Sequence, residues 1–167
     1  MKSRVTRAVI GLWGLWALAT LASAQSAPPT EGEVKAAFVY NFILLTPWEA
    51  SVEKVDLCIV GNTRLRLDLE RLSGRTFGAN RVLSIRPAAA DSLESCHAVF
   101  ISDDQGPQLE PILTSLKGKK KLSVSDSSGF GRRGVMFNLM LKDDRVRFEA
   151  NAVAATETGL PISSRLL

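Results

Sequence analysis

The period of the apolar positions changes several times along the chain, and each change marks an element. From Val34 to Leu45 (VKAAFVYNFILL) the residues are apolar around nearly the whole circumference once helical. That pattern predicts a helix buried on several sides, or one with a face turned to a partner. Thr30-Glu31-Gly32-Glu33 ahead of it has the capping-box spacing, and Pro47 ends it. Val55 to Val60 (VDLCIV) is a short β-branched run closed by Gly61-Asn62, the pattern of a buried strand. Arg64 to Leu72 alternates like a strand, yet Leu65, Leu69 and Leu72 also make a helical stripe. Strong helix formers and a Thr63 cap decide for helix there.

Further strands are expected at Arg81–Arg86, Ala98–Ser102 and Leu122–Ser125, with a turn-rich loop from Asp126 to Gly134. Val135–Leu141 and Arg145–Ala150 flank Lys142-Asp143-Asp144 as a hairpin. A short helix opens at Pro107 and runs to Leu116; a last one is capped by Asn151, runs through Thr158 and is stopped by Gly159. Strands alternating with helices and then a hairpin predict an α/β fold. Its sheet is mostly parallel and five- to six-stranded, with helices on both faces and a C-terminal antiparallel hairpin at the edge.

The charge of the 167-residue chain changes the picture less than its total suggests. Of the formal +4, Lys2, Arg4 and Arg7 supply three charges, and no acidic residue comes before Glu31. Beyond residue 24, 18 basic side chains face 17 acidic ones. The basic signal therefore belongs to one short segment, and no nucleic-acid partner is expected. That segment has a basic start, an apolar run from Ala8 to Ala22, and small residues at Ala22 and Ala24, the three parts of a secretory signal peptide. As a membrane anchor the run would span only about 22 Å of a roughly 30 Å hydrocarbon core. The expected organisation is a signal peptide over residues 1–24 cut after Ala24, a flexible arm over 25–31, and one domain over 32–167, with the product soluble outside the cytoplasm and not inserted in the membrane. In that oxidising compartment Cys58 and Cys96, the chain's two cysteines, read as a disulfide; the alternative is two buried free thiols.

Candidate chemistry is sparse. Gly129-Phe130-Gly131-Arg132-Arg133-Gly134 fits the G-x-G-x-x-G spacing. A dinucleotide site needs that loop to open a helix, and VMFNLML after it reads as a strand. His97 is the only histidine, at the start of an expected buried strand, and no G-x-S-x-G elbow accompanies it. One histidine and two distant cysteines give no metal-ligand spacing. Asp103-Asp104 and Asp143-Asp144 read as solvated loop pairs. Lys117-Gly118-Lys119-Lys120-Lys121 reads as a solvated helix end, with anionic lipid as the other possibility. The inventory indicates a binding protein without a cofactor rather than an enzyme.

Several stretches in order resemble one family of exported bacterial proteins. They are Lys35-Ala36-Ala37-Phe38-Val39-Tyr40-Asn41-Phe42, Leu57-Cys58-Ile59-Val60-Gly61, Cys96-His97-Ala98-Val99-Phe100-Ile101-Ser102, Val124-Ser125-Asp126 with Gly129-Phe130, Phe137-Asn138-Leu139, and Arg145-Val146-Arg147-Phe148-Glu149-Ala150-Asn151. Together they resemble the YfiR-like family, although Thr46-Pro47-Trp48 reverses that family's usual Trp-Pro order. The resemblance implies a periplasmic repressor that binds the periplasmic domain of an inner-membrane diguanylate cyclase and so lowers cyclic di-GMP, with a homodimer also implied. Other envelope receptors, a sensor kinase or a transporter, and a small ligand remain alternatives. Tyr40, Asn41, Asp126, Phe130, Arg147 and Asn151 are the family-matched candidate positions. A contact surface is expected on the first or last helix.

Overall fold

The computed structural model describes residues 27–166; the expected signal peptide and its cut lie outside them. The first helix, α1 (Glu31–Leu45), begins as the spacing predicts. The Thr30 hydroxyl accepts from the Glu33 amide at 3.2 Å, and the Thr30 amide donates to the Glu33 carboxylate at 2.8 Å. Thr30 and Glu31 thus belong to the helix rather than to an arm. At its other end the Thr46 hydroxyl donates to the Phe42 carbonyl at 2.6 Å, and the Trp48 indole donates to that of Ile43 at 2.8 Å. Side chains on both sides of Pro47 thereby satisfy carbonyls that a continuing helix would have bonded.

After α1 come β1 (Lys54–Val60), α2 (Arg66–Glu70), β2 (Thr76–Phe77), β3 (Arg81–Ala88), β4 (Ala98–Ile101), α3 (Leu109–Leu116), β5 (Leu122–Ser125), β6 (Phe137–Lys142), β7 (Arg145–Ala150) and α4 (Ala152–Thr158). They form one sheet of seven strands in the order β2-β3-β1-β4-β5-β6-β7. The pairs β3–β1, β1–β4, β4–β5 and β5–β6 are parallel, whereas β2–β3 and β6–β7 are antiparallel. The mostly parallel sheet, the helices on both faces and the C-terminal edge hairpin are as expected. The strand count of five or six is corrected to seven, because β2 is only two residues long and so has no alternation to read. The Pro107 helix is also shifted. Pro107 lies within a 3₁₀ turn (Asp103–Gln108), and the α-helix starts at Leu109.

Alternate residues of each strand feed two cores. Leu57, Ile59, Phe100 and Val124 pack under α1, α2 and α4, with Phe42 stacked on Phe137 at 4.3 Å. Cys58, Val60, Val99 and Ile101 face the other way, under Leu109, Ile112 and Leu116 of α3. Cys58 and Cys96 are joined there by a disulfide, with their Cα atoms 5.8 Å apart. Both cysteines are buried. Among the described residues no helix is long and apolar enough to cross a membrane.

Candidate functional site

An open parallel sheet usually binds its ligand where the chain reverses its strand order, at the carboxyl ends of the flanking strands. Here that point lies between β1 and β4, and side chains of the loops that follow those strands meet there. The Asn62 amide donates to both oxygens of the Asp104 carboxylate, at 3.1 and 3.2 Å. A Cβ on Gly61 would overlap Asp104 and Gln105, and Gly61 itself takes φ +86°. Arg66 closes the other side by donating to the Gly61 carbonyl at 2.9 Å. Asp104 is exposed, as expected, and in addition holds the Asn62 amide.

His97 is not arranged as a base. Its Nδ1 accepts from the Asp56 backbone amide at 3.1 Å, so a neutral ring carries its proton on Nε2. Burial pushes the imidazole below its ordinary value of 6.5; Asp56 opposes the shift, while Lys121 and Lys54 add to it. The lysine run beside it is largely neutralised. Lys117, Lys119 and Lys120 pair with Glu157, Glu94 and Glu49 at 3.2, 2.8 and 2.9 Å. Lys121 is buried, and its ammonium donates to the carbonyls of Leu93, Glu94 and Cys96 at 2.7, 2.6 and 2.7 Å. Burial holds it below the usual lysine range. Its role is to clamp the segment that carries Cys96.

Three of the six family-matched positions, Asp126, Phe130 and Asn151, gather around the loop between β5 and β6. Asp126 pairs with Lys35 of α1 at 3.0 Å, and Lys35 also meets Glu31 at 2.8 Å. Burial depresses the Lys35 ammonium, but the hydrogen bonds to Glu31 and Asp126 outweigh it and leave the group above its ordinary value. Phe130 is buried beneath the loop, with the Arg133 guanidinium 5.4 Å from its ring centre. Asn151 caps α4 by accepting from the Ala154 amide at 3.0 Å, and its amide nitrogen donates to the Gly131 carbonyl at 2.8 Å. The loop of the G-x-G-x-x-G spacing thus leads into a strand and is tied to the last helix. Arg147 stands exposed on β7 opposite Met140, and the next same-face pair is Asn138 with Glu149. Tyr40 and Asn41 lie elsewhere, in a groove between α1 and α2, where Arg75 sits 5.7 Å above the Tyr40 ring.

The hairpin register sets Asn138 and Glu149 opposite each other on one face of β6–β7. Asp126, Ser128, Gly129, Arg132, Asn138, Met140 and Glu149 help to line an open cleft there of about 380 Å³. Sequence reasoning did not select Asn138, Glu149, Gly131 or Lys35. The available signal was a polar residue on each of two strands, Asn138 and Glu149, which the hairpin register places opposite each other.

A family model described as YfiR/HmsC-like matches residues 32–167, and the chain belongs to that family. No curated protein matches it.

Proposed function

We propose that this YfiR/HmsC-like chain is a periplasmic regulatory binding protein that restrains an inner-membrane diguanylate cyclase through the cyclase's periplasmic domain. The observation that carries the reading is the family match, which spans residues 32–167. Two features of the fold accord with a binding role. The Asp104 carboxylate at the sheet's switch point is engaged by the Asn62 amide, and His97 presents an N–H rather than a lone pair. Residues 1–24 act as the export signal in this reading. Repression works by differential affinity, the protein binding the inactive arrangement of the cyclase more tightly than the active one. Carrying such a switch from nearly all active to nearly all inactive takes about 5.5 kcal/mol of difference. The last helix offers a contact surface, since Val153 is 69% exposed beside a groove lined by Ala152, Ala155, Pro161 and Ile162.

The test is cyclic di-GMP in the native host. Deletion should raise it, and a complementing copy should restore it only when residues 1–24 are retained. A level that never moves would mean that the partner is a different envelope receptor.

A further inference from the structure

We propose that the cleft beside the β5–β6 loop is a binding site for a small organic cation, one carrying an ammonium or guanidinium group. The proposal does not depend on which receptor the protein binds. The polar groups turned to the cleft are mainly acceptors. Glu149 presents a carboxylate with no cation within ion-pair distance among the described residues, and Asp126 presents another whose only such partner is Lys35. Asn138 is 2% exposed; its amide nitrogen donates to Glu149 at a long 3.3 Å, and its Oδ1 is enclosed without a donor. An enclosed carbonyl oxygen without a partner costs free energy that a donor would recover. Turning the amide over would not help, since it would set an oxygen against the Glu149 carboxylate.

The cleft is built rather than incidental. Asn151 fixes the Gly131 carbonyl, and a Cβ on Gly131 would overlap the Glu149 carboxylate. Glycine at that point therefore makes room for the acid. Arg132, whose guanidinium lies near Gly129, is the one cationic residue among those lining the cleft, against the two carboxylates and the Asn138 carbonyl. Met140, on the same face of β6 as Asn138, supplies an apolar side chain against which an alkyl stem would rest. The volume of about 380 Å³ is ample for a diamine or an alkylguanidine.

Agmatine, which carries both cationic groups, is the probe, and uncharged butylurea is its control; both are titrated into the purified protein by NMR. Saturable shifts at the Gly131, Asn138 and Glu149 amides with agmatine alone are the expected result. Glu149→Gln should weaken binding by about tenfold or more, as loss of a charge-assisted hydrogen bond does. Ser128→Tyr, an exposed change at the mouth, should block binding with the fold intact, while Glu110→Gln should leave it unchanged. Shifts that do not saturate, that appear equally with butylurea, or that survive both Glu149→Gln and Ser128→Tyr would overturn the proposal.

Discussion

At the scale of single residues, His97 gives the clearest consequence. Folding partly buries its ring and commits Nδ1 to the Asp56 amide, so the folded protein resists protonating it. Its folded pKa lies below the unfolded one; the unfolded chain therefore takes up the extra proton, and stability falls as pH drops through the ordinary value of 6.5. Glu33, Glu49 and Glu94 are each held below 4.5 by hydrogen bonds, so their loss comes at lower pH. The urea midpoint is accordingly expected to decline between about pH 7 and pH 5, and His97→Gln should flatten that decline. The residue type and its place at a strand start were legible in the sequence. Its tautomer was not, because the Asp56 amide that fixes it arrives from β1, 41 positions away. Lys121 teaches the same lesson. It stands in a run that reads as solvated, and only the fold turns it inward onto three carbonyls.

Among the elements, most were legible from local signals. The Thr30 capping box, the Asn151 cap and Gly159 stop of α4, and the β6–β7 hairpin all follow from residues within a few positions of one another. The hairpin turn has Asp143 and Asp144 at φ +51° and +54°, a conformation that Asp tolerates better than most side chains. Elements set by tertiary contact were harder to read. β2 exists only because Thr76 and Phe77 lie against Val82 and Arg81. The junction of the β5–β6 loop with β7 makes a test at this scale. Gly131→Ala is expected to cost about 1–3 kcal/mol by crowding Glu149, whereas the same change in a Glu149→Ala background should cost much less. Denaturant melts of the four proteins in that cycle measure the coupling. Equal costs in both backgrounds would show that the crowding is relieved elsewhere.

For the whole molecule, the disulfide is the largest single constraint beyond the two cores. It closes a ring of 39 residues, from Cys58 to Cys96. In the chain-entropy model such a ring stabilises the fold by about 4 kcal/mol before any strain. Paired Cys58→Ala and Cys96→Ala changes are expected to lower the unfolding free energy by up to that amount, measured against wild type in denaturant. If they do not lower it, residual structure in the unfolded chain already supplies the constraint.

The ring has a mechanical side as well. It encloses α2, β2 and β3, and the cross-link lets tension pass directly from the centre of β1 to the threshold of β4. A pull applied between the two ends would leave about 38 residues slack however far the rest unravels. At roughly 3.5 Å per extended residue, the fully drawn chain would be shorter by about 130 Å than its reduced form. Were the protein drawn through a narrow pore, that loop would act as a knot-like obstruction until the disulfide was reduced.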